Sequence, residues 1–270
     1  MADGWGRVER PDAEIWYLDT AGDGDGDLPV LVLLHGLAGY ALEWGALIAA
    51  MRTEHRVIAI EQRGHGSSTR RPADVSLTAY VEDVVAVLDD LGVARAPVVG
   101  QSMGGHVAMM LAARRPERVS RLVMIEAGLG GGDPGDLEGL ASWLRGWPVP
   151  FTTREDFLAF FGGGRSVAEG WADGLVRRAD GLWPQWDAEM LVGAISGVFA
   201  HEHLDEWSAV QAPVLLVRGE HGSVPERQVE SMCALRPSTE LAVIAGTGHD
   251  LHLEAPEAVI PLLQRFLAQP

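Results

Sequence analysis

The stretch Gly100-Gln101-Ser102-Met103-Gly104 decides the fold of this chain. A short apolar run precedes it (97–100) and a longer run of small and apolar residues follows (104–115), so the pattern predicts a strand, a sharp turn and a helix. Side chains two positions before and after the serine would collide at such a turn, which explains the two glycines. The serine would stand on a strained turn at a helix N-terminus, where the helix dipole favours an oxyanion. The alternative is a chance match in a chain with 33 glycines, and the flanking strand and helix argue against it.

Outward from this motif, predicted strands and helices alternate along the chain. The apolar patterns predict strands at 13–18, 30–34, 56–60, 97–100, 121–126, 213–218 and 240–245, and helices at 42–51, 77–91, 104–115, 225–235 and 256–268. This alternation is typical of an α/β fold, with a mostly parallel central sheet flanked by helices. A ligand site is then expected at the carboxyl ends of the strands.

One segment, 128–207, interrupts the alternation. It carries eleven of the 18 aromatic residues, and we interpret it as a helical cap inserted into a core formed by 1–127 and 208–270. Aromatic residues could simply form the core of this insertion. As a group we expect them also to line an apolar pocket, with Trp143, Trp147, Trp183 and Trp186 as the candidates.

A serine nucleophile needs a base, an acid to orient that base, and donors for the oxyanion. His249 is the candidate base because it follows the last predicted strand in a loop with glycines at 246 and 248, which let its ring reach over the strand ends. His252 is its rival. The candidate acids are Glu126, Glu220 and Asp250. The expected oxyanion donors are two backbone N–H groups, those of Leu37 and Met103.

These motifs together resemble the α/β-hydrolase family. The matching pieces are LLHG at 33–36, EQRGHGSS at 61–68, GQSMGG at 100–105 and GTGHDLHLEAPE at 246–257. The resemblance implies that Ser102 is the nucleophile, His249 the base, and Leu37 and Met103 the oxyanion donors. His35, Gly36 and Gln101, which belong to the same motifs, are expected beside the substrate.

The acid is where the chain departs from the family pattern. The family commonly places an aspartate after the seventh strand, and here glycine stands at that position, Gly222. Some branches place the acid after the sixth strand instead, where this chain has Glu126. We therefore expect Glu126 to complete a triad, and a Ser102–His249 dyad is the alternative.

The residues present exclude some chemistries of this fold. Serine at the turn excludes the enzymes of this fold that use an aspartate nucleophile. The chain has no lysine, which excludes those that use a catalytic lysine. We expect a serine hydrolase that cleaves an ester, thioester, lactone or similar acyl bond of a small to medium apolar substrate, without metal or cofactor. The alternatives are a carbon–carbon bond hydrolase, a cyclase or lyase using the same pocket, and a binding protein with a vestigial site.

The composition limits the classes of binding partner that the chain can have. With 21 basic and 38 acidic residues the net charge is −17, which argues against nucleic acid and anionic membranes. No signal peptide or membrane span is apparent, and a single cysteine, Cys233, suits a reducing cytoplasm. We expect a cytoplasmic monomer or homodimer. The alternating aspartates at 23, 25 and 27 lack the rest of a calcium loop, and the glycines at 162–164 lack the lysine of a phosphate loop.

Overall fold

A central sheet organises the molecule. The structure is a computed structural model that describes residues 4–21, 28–162 and 166–269. The strands in this part of the chain are β1 (Trp5–Glu9), β2 (Glu14–Asp19), β3 (Val30–Leu34), β4 (Arg56–Glu61), β5 (Ala96–Gln101), β6 (Val119–Ile125), β7 (Val176–Arg178), β8 (Gly181–Trp183), β9 (Val214–Gly219) and β10 (Glu240–Ile244). Eight of them pair in the order β1-β2-β4-β3-β5-β6-β9-β10. The two β2 pairings are antiparallel and the others are parallel, which confirms the predicted α/β sheet.

Helices cover both faces of this sheet. They are α1 (Gly45–Met51), α2 (Leu77–Asp90), α3 (Met103–Arg114), α4 (Pro134–Arg145), α5 (Arg154–Phe160), α6 (Ser166–Asp173), α7 (Ala188–Phe199), α8 (Leu204–Ala209), α9 (Glu226–Leu235), α10 (Leu251–Glu254) and α11 (Pro256–Leu267). Sequence analysis did not predict β1, α10 or the β7–β8 hairpin. These strands and this helix are three to five residues long, too short to give a clear period.

The period of two in the strands explains the two-sided core. Val32 and Leu34 of β3 belong to an apolar cluster with α2 and α3, whereas Leu31 and Leu33 belong to a second cluster with α1 and α11. All four side chains are buried. Because neighbouring residues point to opposite faces, a continuous apolar run is what a strand covered on both sides requires.

The segment between β6 and β9 contains α4 to α8 and the β7–β8 hairpin, so it is not wholly helical. Ring contacts of 4.8–6.5 Å connect Trp147 with Phe151, Phe157, Phe161 and Trp186. Much of the aromatic content of this segment therefore packs against itself.

Within the described ranges, no helix is both long and apolar enough to cross a membrane. The same residues contain no group of three or more His, Cys, Asp or Glu side chains arranged to hold a metal ion. The aspartates at 23, 25 and 27 and the glycines at 163 and 164 lie outside the described residues.

Candidate active site

Ser102 forms the turn between β5 and α3. Its backbone has φ 50° and ψ −120°, a strained conformation for a residue with a side chain. A Cβ at Gly100 would collide with the backbone of Gly104, and a Cβ at Gly104 with the backbone of Leu34. The sequence therefore permits a close crossing of strand and helix that presents the Ser102 side chain at the carboxyl edge of the sheet.

His249 stands in the loop between β10 and α10. The Glu254 carboxylate accepts hydrogen bonds from the N–H groups of Gly248 (2.7 Å) and Asp250 (3.0 Å), one on each side of the histidine. The backbone carbonyl of His249 accepts a hydrogen bond from the Gln101 side chain at 3.1 Å. These contacts hold the loop beside the turn that carries Ser102.

Glu126 directly follows β6 and is buried, with its side chain fully shielded from solvent. Its backbone φ is 46°, a second strained position at the strand ends. One carboxylate oxygen accepts the N–H of Gly219 and the other accepts the N–H of Ser223, both at 2.8 Å. The second oxygen also lies 3.4 Å from Nδ1 of His249. The structure thus brings the carboxylate of Glu126 to the ring of His249.

Glycine at position 222 is what makes room for this carboxylate. A Cβ on Gly222 would collide with the carboxylate of Glu126. Gly222 stands where the family pattern places an aspartate. That position therefore lies against the Glu126 carboxylate, which fills the space beside His249. The glycine and the glutamate form a matched pair.

Ser223 adds a contact that the sequence analysis did not single out. Its hydroxyl lies 2.8 Å from Nδ1 of His249, closer than Glu126, and 3.5 Å from Oε2 of Glu126. The hydroxyl and the carboxylate share the same ring nitrogen. The sequence did hold a signal for Ser223, which directly follows Gly222. A residue at that place lies beside the path by which an acid reaches His249.

The hydrogen bonds set the charge state of this pair. Burial acts to raise the pKa of Glu126, but the hydrogen bonds from His249, Gly219 and Ser223 outweigh it and hold that pKa below its ordinary value. Burial acts to lower the pKa of His249, but the hydrogen bond to Glu126 and the nearby acidic charges raise it above its ordinary value. An ionised Glu126 therefore stabilises the protonated form of His249.

The other acid candidates do not reach the ring of His249. Glu220 is exposed, and its carboxylate accepts the N–H of Gly246 at 2.8 Å. Asp250 lines the cavity and acts on His249 through its charge. His252 is buried below the surface, with Nε2 3.3 Å from Oε1 of Glu43, rather than beside Ser102.

The backbone N–H groups of Leu37 and Met103 belong to residues that line the same cavity as Ser102. Neither N–H donates to a hydrogen-bond acceptor within the described residues. For Met103 the reason is its place in the first turn of α3, where N–H groups lack an intrahelical acceptor. Their assignment as oxyanion donors stays a prediction.

The residues just before Leu37 pack behind the lining of the cavity. His35 is buried; its Nδ1 lies 2.8 Å from the carbonyl of Gly36, and its Nε2 accepts the N–H of Gln62 at 3.1 Å. Gly36 is packed so closely against Gln101 that a Cβ would collide with its amide oxygen. Gln101 itself lines the cavity, whereas His35 and Gly36 lie behind it.

A cavity of about 810 Å³ extends from Ser102 under α4 and α7. Ser102, Glu126 and His249 all line it, together with apolar side chains of the inserted segment. Trp143 and Trp171 form part of its wall, with ring centroids 5.9 Å apart. The site is therefore a sizeable, partly apolar cavity.

Of the four tryptophans expected in the pocket, the structure brings Trp143 to the cavity. Trp147 and Trp186 are buried against each other, with ring centroids 4.8 Å apart, in the core of the inserted segment. Trp183 lies in the β7–β8 hairpin, where it donates a hydrogen bond to Asp180 and stacks under Arg178. Packing within the insertion, which the sequence does not show, decides which ring faces inward.

The loop carrying Leu37 and the loop carrying His249 are joined by a buried pair. Glu43 accepts the N–H of Tyr40 at 3.3 Å on one carboxylate oxygen and faces His252 with the other. The Trp44 and His252 rings pack 4.5 Å apart. The hydroxyl of Tyr40 donates to the carbonyl of Gly170 in α6 at 2.8 Å. One chain of contacts therefore connects both loops and the insertion.

Comparison with known proteins gives a consistent family. A family model described as alpha/beta hydrolase fold matches residues 29–256. Esterase YbfF of Escherichia coli K12 is 28% identical over 258 residues, which cover 88% of this chain and 92% of the esterase. The mouse sn-1-specific diacylglycerol lipase ABHD11 is 43% identical over 115 residues, but the match spans only 42% of this chain and 37% of the lipase. The crystal structure of E-2-(acetamidomethylene)succinate hydrolase superimposes with a TM-score of 0.88 at 21% identity, covering 98% of this chain and 99% of that one, a likeness of fold.

Proposed function

Because the chain belongs to the α/β-hydrolase family and is a hydrolase, we propose that it cleaves acyl bonds through a covalent intermediate on Ser102. The substrates are uncharged, small to medium esters, or related thioesters and lactones, with an apolar acyl part. The observation that carries the proposal is the convergence of Ser102, His249 and Glu126 on one cavity, with the Glu126 carboxylate 3.4 Å from Nδ1 of His249.

In the first half of the reaction, His249 takes the proton of the Ser102 hydroxyl as the oxygen attacks the substrate carbonyl. Glu126 orients the ring through Nδ1 and stabilises the imidazolium that forms. The N–H groups of Leu37 and Met103 stabilise the negative oxygen of the tetrahedral intermediate. His249 then returns the proton to the leaving group, and the acyl chain stays on Ser102.

In the second half, water replaces the leaving group. His249 removes a proton from the water as it attacks the acyl-enzyme, and the same two N–H groups stabilise the second tetrahedral intermediate. Collapse of that intermediate returns the proton to Ser102 and releases the acid. We further propose that residues 128–207 act as a cap, because their apolar side chains cover the acyl part of the substrate.

The test is labelling with a fluorophosphonate probe, followed by location of the adduct by mass spectrometry. We expect one adduct, on Ser102, and none in Ser102→Ala. Ser208→Ala is the matched control, because the Ser208 hydroxyl is exposed and bonds to a carbonyl within α8. It should be labelled like the unmodified protein and should hydrolyse p-nitrophenyl esters equally well. An adduct that persists in Ser102→Ala, or folded protein that takes no label, would contradict the proposal.

A further inference from the structure

One buried polar side chain in the cavity wall lacks a partner in the protein. The buried polar residues that line the cavity are Gln101, His106, Glu126 and Gln228. Gln101 bonds to the His249 loop, Gln228 uses both ends of its amide on backbone groups after β6, and Glu126 has the contacts described above. The ring of His106 makes no hydrogen bond within the described residues. Buried polar groups are normally satisfied, and of the buried polar residues in this wall His106 is the one whose ring has no partner in the described part of the chain, so a ligand in the cavity is the partner open to it.

The position of His106 places it beside the acyl part of a substrate. It lies four residues after Ser102 on α3, hence on the same face and about 6 Å further along the helix axis. The residue is only 6% exposed and lines the cavity. Its Nδ1 is fully buried and has no hydrogen-bond partner, so Nε2 is the ring atom left to meet a ligand in the cavity.

His106 is uncharged near neutral pH. Burial lowers its pKa to about 3, and the nearby His203 adds to this effect. A neutral imidazole carries one N–H, on either nitrogen. Burying an N–H without an acceptor is costly, so the arrangement that leaves the lone pair on Nδ1 and the proton on Nε2 is favoured. The ring then offers a neutral hydrogen-bond donor to the cavity.

The surroundings of this donor narrow the ligand class. The walls contributed by α4 and α7 are apolar at Leu140, Ile195 and Val198. Asp133 and Asp136 also line the cavity from exposed positions, whereas the one arginine in the described lining, Arg227, is paired with Glu202 at 2.9 Å, so the charge of the wall disfavours a carboxylate ligand. The group that fits is an uncharged oxygen acceptor, such as a ketone, carried on an apolar chain.

We propose that His106 is a specificity-determining residue that selects acyl chains bearing a carbonyl oxygen about one helical turn from the scissile carbonyl. The proposal rests on the function proposed above, in which Ser102 holds the acyl group. It deepens that function by naming the substrates as oxo-acyl rather than purely hydrocarbon esters.

The test compares two esters of matched shape, p-nitrophenyl 5-oxohexanoate and p-nitrophenyl 5-methylhexanoate. The unmodified enzyme should favour the oxo-ester in kcat/KM, and His106→Phe should reduce that preference by about tenfold, the worth of one buried hydrogen bond. His106→Gln retains an N–H donor and should keep part of the preference. The control is His55→Phe, because His55 also has a buried, unpartnered Nδ1 but lies outside the cavity wall. An equal preference in the unmodified enzyme and His106→Phe would overturn the proposal.

A binding measurement separates this proposal from the proposed function. Ser102→Ala, with and without His106→Phe, is titrated with 5-oxohexanamide and 5-methylhexanamide while the fluorescence of the cavity tryptophans is followed. We expect the oxo-amide to bind more tightly, and His106→Phe to remove that difference. If neither ester is hydrolysed, the proposed function fails, and the amides still test His106. Tighter binding of 5-hydroxyhexanamide than of the oxo-amide would show an acceptor at Nε2 and overturn the assignment of a donor.

Discussion

The ends of β6 and β9 meet beside His249 but contribute different things. β6 is followed directly by Glu126, whose backbone is strained and whose carboxylate is fully buried. β9 ends in a segment that contributes N–H groups from Gly219 and Ser223, with glycine where an aspartate is expected from the family pattern. The charge and the groups that stabilise it therefore come from two neighbouring strands. The difference teaches that a carboxylate can reach Nδ1 of His249 from the end of β6 when glycine at the end of β9 leaves the space free.

The largest expected effect comes from removing the charge at the end of β6. Glu126→Gln keeps the shape of the side chain but leaves His249 without an anion beside Nδ1. We expect kcat for a p-nitrophenyl ester to fall by about 10⁴-fold, as for loss of a triad acid.

The matched control is Glu220→Gln, at the end of β9. That carboxylate is exposed and bonds to Gly246, so kcat should stay within about twofold, as for surface changes. A large loss in Glu220→Gln with little loss in Glu126→Gln would reverse the assignment of the acid.

A second experiment attempts to move the acid from β6 to β9. Gly222→Asp alone should lower activity, because its side chain collides with the Glu126 carboxylate and adds a like charge. Glu126→Gly suits the positive φ at that position and empties the space. Adding Gly222→Asp to Glu126→Gly should then raise kcat by about 10- to 100-fold over Glu126→Gly alone, part of the loss expected for a triad acid. Strict additivity of the two changes would show that the sites do not share this space.

The hydroxyl of Ser223 should have a smaller effect. It lies 2.8 Å from Nδ1 of His249 and helps to fix the ring. A variant without this hydroxyl still has the Glu126 carboxylate beside the ring. Ser223→Ala should reduce kcat by about 3- to 10-fold, the worth of one hydrogen bond. Ser223→Thr retains the hydroxyl and should lose less. Steady-state kinetics on one ester suffice, and equal losses in both variants would assign the effect to packing.

The smallest expected change is a displacement of the pH profile. His249 acts as a base only when it is neutral, so kcat/KM should rise as the pH passes upward through its pKa. Glu126 raises that pKa, and Glu126→Gln should therefore lower it and move the acidic limb of the profile to lower pH. Glu220→Gln should leave the limb in place. A limb that does not move in Glu126→Gln would show that the residual activity does not depend on this pair.

Local patterns were enough to predict the sheet and the surroundings of Ser102. The GQSMG turn needs only strand, glycines and helix in sequence, and these are visible within about 15 residues. The parallel strands predicted from apolar runs are confirmed by the structure. Glu126 could be singled out because glycine at position 222 left a gap in the pattern; its catalytic role remains a prediction.

The rest depends on contacts between distant residues. Trp143 and Trp147 are four residues apart on or beside one helix, yet one faces the cavity and the other the core of the insertion. The difference arises from partners such as Trp171 and Trp186, whose placement no local period shows. The position of His106 beside the site could have been predicted, because a residue four positions after Ser102 on a helix shares its face. That it lacks a partner could be seen only in the folded chain.

The pair formed by Glu43 and His252 links two loops of the site that carry different functional groups. Through it the loop that bears Leu37 and the loop that bears His249 share one anchor, and Tyr40 extends the connection to α6. A substitution that separates Glu43 from His252 is therefore expected to displace both loops together rather than one alone.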